Sequence, residues 1–239
     1  MNGQVKPLVL FDVDGTLLLT GGAGMRAMKK VASELFGAAF RWDGIVVSGH
    51  LDPLIFAEAA LLNGIDDPAL HHDGFRRRYL EELRLELEHG RAGIRVMPGI
   101  LETLTELRTG GAATLGLLTG NYAEAIPLKL SAIGVDPRWF EITALGEDAA
   151  TRRDLAALAI EKYSQRVGSP IDPARVIVVG DTPRDVDCAH AHGCFAFAVA
   201  TGAYDEVALA AAGADRVVRD LGNPTPLLEI VARVGQLRV

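Results

Sequence analysis

Short apolar runs rich in β-branched residues alternate along most of this chain with longer stretches of helical period. The alternation restricts the fold strongly, because strands separated by helices form a parallel sheet that is covered on both faces. The predicted strands are 7–11, 113–118, 141–145, 175–179, 194–199 and 216–218. The predicted covering helices are 101–109, 122–132, 155–166, 183–192 and 204–212. The sequence therefore predicts an α/β fold.

One stretch, from about residue 21 to about residue 95, interrupts this alternation. Its apolar periodicity predicts helices only, over Ala23–Phe36, 53–63 and 75–89. A helical block inserted after a first strand is typical of a separate small domain. We predict a Rossmann-like parallel-sheet core formed by residues 1–16 and 96–239, with an inserted α-helical cap domain at 17–95.

Charge and composition limit the classes of partner. The chain has 31 acidic against 24 Lys and Arg residues, a formal net charge of −7, and its densest basic tract is residues 76–78. We therefore expect neither nucleic acid nor a membrane as a partner. Asp12 and Asp14 stand where a secretory signal would need its apolar segment, so we expect a cytoplasmic location. The sequence leaves the oligomeric state open.

Carboxylates follow two of the predicted strands. The first strand leads into Asp12-Val13-Asp14-Gly15-Thr16, and the strand at 175–179 leads towards Asp181 and Asp185. Ligands of open parallel sheets bind beyond the carboxyl ends of the strands, where these side chains would converge. Carboxylates that leave buried strands are costly to desolvate without a cation, and clustered oxygen ligands suit Mg²⁺. The sequence therefore predicts a magnesium site.

The strand at 113–118 ends in Thr119-Gly120-Asn121, just before a predicted helix. A hydroxyl group and free backbone N–H groups at a helix start form an anion site of the kind that holds phosphate. A divalent cation, an anion site and a carboxylate in the attacking position together indicate phosphoryl transfer through an aspartyl-phosphate.

Three motifs carry a resemblance to a known family: FDVDGT at 11–16, LLTGN at 117–121 and VVGDTPRD at 178–185. With them the chain resembles the haloacid dehalogenase superfamily over nearly its whole length. The helical insert, followed by Met97-Pro98-Gly99, is similar to the cap of the phosphoglycolate-phosphatase-like branch. The resemblance implies a phosphoric monoester hydrolase that requires Mg²⁺ and acts on a small phosphorylated metabolite.

The resemblance also implies roles for individual residues. Asp12 would be the nucleophile, and Asp14 would be the general acid and then the general base. Mg²⁺ would be held by Asp12, the backbone carbonyl of Asp14 and Asp181, with Asp185 acting directly or through a water. Thr119, Gly120 and Asn121 would bind the phosphoryl oxygens, whereas Gly15 and Thr16 would support the first loop.

The chain departs from the family pattern at the lysine that usually begins the helix before the last motif. That place holds Arg152 and Arg153, and Lys162 lies about two turns further along the helix. We expect Arg152 or Arg153 to replace the lysine, because guanidinium binds both phosphate and carboxylate groups well. The alternative is two solvated arginines at a helix start.

The loop at 48–53 resembles the segment of the cap that faces the active site in this branch. His50 and Asp52 are therefore candidate contacts to the leaving group. Asp52 precedes Pro53 and is also a good helix N-cap, the role that we favour for it.

The function predicted from the sequence is a Mg²⁺-dependent phosphatase. One alternative is a phosphomutase of β-phosphoglucomutase type, which uses the same pair of aspartates. The other is a signalling switch that is phosphorylated on Asp12. Nothing in the sequence separates phosphatase from mutase, and the identity of the substrate stays open.

Overall fold

The computed structural model describes residues 5–237, in which a six-stranded sheet is surrounded by helices. In chain order the elements are β1 (Leu8–Phe11), β2 (Leu18–Leu19), α1 (Ala23–Phe36), α2 (Asp52–Leu62), α3 (Ala69–His89), β3 (Arg95–Val96), α4 (Ile100–Gly110), β4 (Thr114–Leu118), α5 (Ala125–Ala132), β5 (Ile142–Ala144), α6 (Arg152–Val167), β6 (Val176–Gly180), α7 (Pro183–His190), β7 (Phe195–Val199), α8 (Glu206–Ala211), β8 (Arg216–Val218) and α9 (Thr225–Gly235). The predicted core domain includes residues 1–4 and 238–239, and these lie outside the described residues.

The main sheet has the strand order β5-β4-β1-β6-β7-β8, and each of its pairings is parallel. β1 lies between β4 and β6, so the carboxyl ends of these three strands are neighbours. Leu8 and Leu10 pack on one face of the sheet, and Val9 and Phe11 pack on the other. Because both faces are covered, the strand is apolar throughout, as parallel strands usually are.

Helices cover the two faces as the sequence predicts. Apolar residues of α4, α5 and α9 pack on one face. Those of α6, α7 and α8 pack on the other. The predicted α/β fold is confirmed. The prediction missed α9, although Leu227, Val231 and Val234 follow the spacing of one buried helical face.

The segment between β2 and β3 contains α1, α2 and α3 and is called the helical segment here. β2 and β3 form a two-stranded antiparallel sheet at its two ends. Its buried apolar residues form a cluster that also includes Tyr122, which lies between β4 and α5, and Ala125, the first residue of α5. The helical segment therefore packs directly on the residues that follow β4. In the described part of the chain, no helix is long and apolar enough to span a membrane.

Candidate active site

The three central strands deliver their polar side chains to one place. Asp12 follows β1, Thr119 follows β4 and Asp181 follows β6, and all three are buried. The side chain of Thr119 interacts with the carboxylate of Asp12 and lowers its pKa, although burial and other groups raise that pKa overall. The convergence follows from the strand order, because β1 is flanked by the other two strands.

Asp12, Asp181 and Asp185 form a cluster of buried carboxylates. One oxygen of each lies within 4.8 Å of the others. Asp185 belongs to the first turn of α7, and it accepts hydrogen bonds from the backbone N–H (3.0 Å) and the hydroxyl (2.7 Å) of Thr182. This reciprocal capping fixes the carboxylate of Asp185 relative to β6.

Arg152 is the cation that contacts this cluster. It is the first residue of α6 and is 7% exposed. One of its terminal nitrogens lies 3.1 Å from Oδ1 of Asp12, and its Nε donates to Oδ1 of Asp185 at 3.2 Å. Burial favours the neutral form of Arg152, but Asp185 and Asp12 outweigh it and raise its pKa. Arg152 therefore stays charged and links the nucleophile candidate to α7.

Negative charge exceeds positive charge in the cluster. Burial raises the pKa of Asp12, Arg152 opposes this, and Asp185 and Asp14 raise it further. Burial also raises the pKa of Asp181, and the charges of Asp12 and Asp185 add to the effect. Three buried carboxylates that share one guanidinium fit a divalent cation with oxygen ligands, because such an ion would supply the missing positive charge.

Asp14 points to a different group of side chains. Its Oδ2 lies 2.5 Å from Nζ of Lys129 and accepts a hydrogen bond of 2.8 Å from the side-chain amide of Asn121. The side-chain oxygen of Asn121 accepts a hydrogen bond from the same Nζ. The Asp14 side chain is 43% exposed, whereas that of Lys129 is 4% exposed. A buried cation therefore holds the predicted general acid beside Asp12.

The prediction did not include Lys129. It lies on α5, and the buried residues of that helix are Ala125, Ile126, Lys129 and Leu130. A lysine in line with apolar residues three and four positions away indicates a buried cation, which requires a partner. That pattern was readable in the sequence, but its carboxylate partner was not.

Gly15 and Gly120 lie where the structure leaves no room for a side chain. Gly15 has φ +86°, and a Cβ there would lie 2.3 Å from Oδ2 of Asp181. A Cβ at Gly120 would lie 1.8 Å from the carbonyl oxygen of His50. Thr16 donates a hydrogen bond of 3.2 Å from its hydroxyl to Oδ1 of Asp181. The first loop therefore packs directly against the carboxylate that follows β6.

The structure does not bring Arg153 to this group of residues. Its side chain is 62% exposed and pairs with Asp187 at 2.7 Å. Successive helical residues point about 100° apart, so only one of two adjacent arginines can face the carboxylate cluster. That residue is Arg152.

Asp52 differs from its predicted helix N-cap role. α2 begins at Asp52 itself, and no side chain caps that helix start. The Asp52 carboxylate instead accepts a hydrogen bond of 3.2 Å from the backbone N–H of Tyr122, and its own N–H donates to the carbonyl of Gly120 at 2.7 Å. Burial raises the pKa of Asp52 to about 7, Lys129 opposes the rise, and Asp14 adds to it. The N-cap prediction is wrong because the carboxylate turns towards the residues after β4.

A cavity of about 350 Å³ lies between the sheet and the helical segment. Asp12, Asp14, Thr119, Lys129 and Arg152 line it on the side of the sheet. The helical segment contributes the opposite side, which includes both predicted contacts, His50 and Asp52. Nε2 of His50 forms a hydrogen bond of 2.9 Å with Oε1 of Glu58. The cavity therefore holds the predicted nucleophile, acid and basic groups together.

Comparisons with known proteins agree with this arrangement. The family model for haloacid dehalogenase-like hydrolases matches residues 6–193. A phosphoglycolate phosphatase from Agrobacterium fabrum is 28% identical over 227 residues, which cover 94% of this chain and 93% of that protein.

Two solved structures resemble the fold. A variant of CbbY from Rhodobacter sphaeroides, in complex with xylulose-(1,5)bisphosphate, has a TM-score of 0.73 at 23% identity, covering 91% of this chain and 96% of that one. A β-phosphoglucomutase from Clostridium difficile has a TM-score of 0.67 at 15% identity, covering 96% and 98%. At these identities the likeness concerns the fold alone.

Proposed function

The chain belongs to the haloacid dehalogenase-like hydrolases and is a phosphatase, and from this premise we propose that it is a Mg²⁺-dependent enzyme that hydrolyses a small phosphate monoester through an aspartyl-phosphate on Asp12. The observation that carries the proposal is the position of Asp12. Its buried carboxylate lines the cavity, contacts Arg152, and lies in the three-carboxylate cluster. The cytoplasmic location expected from the sequence stays a prediction.

In the first half of the reaction, Asp12 attacks the phosphorus of the ester. A bond forms between a carboxylate oxygen and phosphorus, and the bond between phosphorus and the ester oxygen breaks. Asp14 gives its proton to the departing oxygen, so that the product leaves as an alcohol. Arg152, Thr119 and the backbone amides of the loop after β4 bind the phosphoryl oxygens as their charge redistributes.

In the second half, water replaces the nucleophile on phosphorus. Asp14 accepts a proton from the water, whose oxygen bonds to phosphorus while the bond to Asp12 breaks. Inorganic phosphate forms, and both carboxyl groups return to their initial states. Lys129 and Asn121 hold Oδ2 of Asp14 through both halves, which supports a single residue acting as acid and then as base.

Asp12, Asp181 and Asp185, with the backbone carbonyl of Asp14, would hold the metal ion. A bound Mg²⁺ would supply positive charge that offsets the phosphate oxygens and the crowded carboxylates.

The lining of the cavity supports a phosphatase over a mutase. A phosphomutase that works through an aspartyl-phosphate passes through a bisphosphate intermediate, and the second phosphate of that intermediate needs cations on the side away from Asp12. Among the described residues that line the cavity, the lysine and arginine side chains are Lys129 and Arg152, both on the side of the sheet. Both already contact carboxylates there.

Phosphate release from a panel of small phosphate esters, with Mg²⁺ and with excess chelator, tests the proposal. We expect release that depends on Mg²⁺ and that returns when the ion is restored. A mutase would instead convert a sugar phosphate into its isomer without net phosphate release. A switch would hold a phospho-aspartate for minutes, detectable by mass spectrometry.

Asp14→Asn separates acid catalysis from metal binding. We expect kcat to fall by about 10² to 10⁴, because the amide cannot deliver a proton. Magnesium affinity, measured calorimetrically, should stay within a few-fold, because the Asp14 side chain lies with Lys129 and outside the carboxylate cluster. An ester with a good leaving group, such as 4-nitrophenyl phosphate, needs little acid assistance. The kcat of the variant should therefore fall less with this ester. Loss of magnesium binding in this variant would contradict the assignment.

A further inference from the structure

The side of the cavity that faces away from Asp12 is largely apolar. Met25, Met28, Val47, Ile55 and Tyr79 line it, and we call these residues the apolar wall. Met28 and Ile55 are each 3% exposed, and Tyr79 is 1% exposed. Burial, together with the charges of Asp52 and Asp14, raises the pKa of Tyr79 well above its usual value. Its hydroxyl is therefore a neutral hydrogen-bonding group.

Among the residues that the structure describes, the polar ones beside the apolar wall add no positive charge for a ligand. Asp52 is a carboxyl group, and Ser48 is neutral. His50 is paired with Glu58, which would cancel its charge whenever the imidazole is protonated. Arg26 and Arg184 lie on neighbouring segments but do not line the cavity; Arg26 binds Glu86, and Arg184 binds the carbonyl of Ser48.

The positive charges of the site are already balanced by its carboxyl groups. The site contains five carboxyl groups: Asp12, Asp14, Asp52, Asp181 and Asp185. Two cationic side chains and one divalent ion carry four positive charges, which the carboxylates of Asp12, Asp181 and Asp185 and the transferred phosphoryl group already offset. A second anionic group on the substrate would enter an apolar space of negative potential in which the described lining residues offer no further cation, and this is costly.

We propose that this enzyme selects phosphate monoesters whose leaving group is uncharged and partly apolar, and that it discriminates against a carboxylate or a second phosphate on the leaving group. The inference rests on the proposed phosphatase function and goes beyond it, because it separates this chain from relatives that carry the name phosphoglycolate phosphatase. The cavity volume of about 350 Å³ suits a small leaving group, since it is near the lower end for ligand pockets.

Two esters of nearly equal shape test the proposal. Phosphoglycolate carries a carboxylate, and acetol phosphate has a methyl group in place of one carboxylate oxygen. We expect kcat/KM with Mg²⁺ at neutral pH to favour acetol phosphate by about tenfold or more. Equal or better turnover of phosphoglycolate would overturn the proposal while leaving the phosphatase function intact.

Met25 offers a matched pair of variants, because it is half-buried and lines the cavity on α1. Met25→Arg adds a cation to the apolar wall, and Met25→Gln adds a polar group of similar length without charge. We expect the first variant to shift the ratio of kcat/KM towards phosphoglycolate by about tenfold, and the second to leave it within about twofold. The same shift in both variants would contradict a preference based on charge.

A binding measurement keeps the proposal independent of turnover. The affinities of Asp12→Asn protein for the two esters, measured calorimetrically with Mg²⁺, should show the same preference for acetol phosphate. If the wild-type enzyme hydrolyses neither these nor other esters, the proposed function fails, and the binding preference alone then decides the charge proposal. Tighter binding of phosphoglycolate would overturn it.

Discussion

Replacing Asp12 with asparagine lowers the rate of phosphate release by a factor of about 10³ or more and leaves the fold intact. The carboxylate oxygen that would attack phosphorus becomes an amide oxygen, which is a poor nucleophile. The thermal midpoint should not fall, because burial, and after it the charges of Asp185 and Asp14, raise the pKa of Asp12 and disfavour its charged form. An amide of the same shape relieves that repulsion, and its oxygen can still accept from Arg152.

The matched control is Asp187→Asn. Asp187 is also an aspartate next to an arginine, but its side chain is 51% exposed and pairs with Arg153. The phosphatase activity of the Asp187→Asn variant should stay within about twofold of wild type. Steady-state phosphate release together with circular dichroism checks both variants. Substantial residual turnover in Asp12→Asn protein would rule out Asp12 as the nucleophile.

Arg152→Ala reduces kcat/KM by about 10² to 10³, whereas Arg153→Ala leaves it within about twofold. Arg152 is buried and binds Asp12 and Asp185, so its loss leaves crowded carboxylates with less positive charge and removes a cation from the phosphate site. The same change should lower the free energy of unfolding by roughly 2 to 4 kcal/mol. Arg153 makes an exposed ion pair, of the kind that contributes about 0 to 1 kcal/mol.

Arg152→Lys distinguishes a catalytic role from a purely structural one. A lysine restores the charge but cannot contact both carboxylates through a planar guanidinium, so we expect partial recovery of kcat and a smaller recovery of stability. Kinetics and chemical denaturation of the three variants provide the measurements. Equal losses in Arg152→Ala and Arg153→Ala proteins would contradict the assignment of Arg152 to the site.

Local sequence patterns were sufficient for the main sheet. β1, β4 and β6 are short apolar runs followed by polar residues, and a run of this kind that is buried on both faces is readable without knowledge of its neighbours. The helix α9 and the short pair β2 and β3 were missed. β2 and β3 are two residues each and stabilise one another across the helical segment, so neither has a strong pattern alone.

The roles of individual charged residues were harder to predict. Arg152 and Arg153 are chemically equivalent in the sequence, and the rotation of α6 on the sheet decided that only Arg152 contacts Asp12 and Asp185. The N-cap prediction for Asp52 relied on a local preference. In the structure the Asp52 carboxylate instead accepts a hydrogen bond from the backbone N–H of Tyr122, 70 positions further along the chain. Lys129 was missed because its partner Asp14 is 115 positions away.

The sequence by itself determined the α/β class, the ends of the three central strands and the carboxylates that follow them, because each depends on residues close together in the chain. The tertiary structure decided which charges meet and what the far side of the cavity is made of. Those features depend on the packing of the helical segment against the residues after β4, and an interaction between distant residues leaves no spacing to read. For this reason the motifs could predict that Asp12, Asp14 and Asp181 belong to the candidate site, but not the contact between Lys129 and Asp14, the choice of Arg152 or the apolar wall.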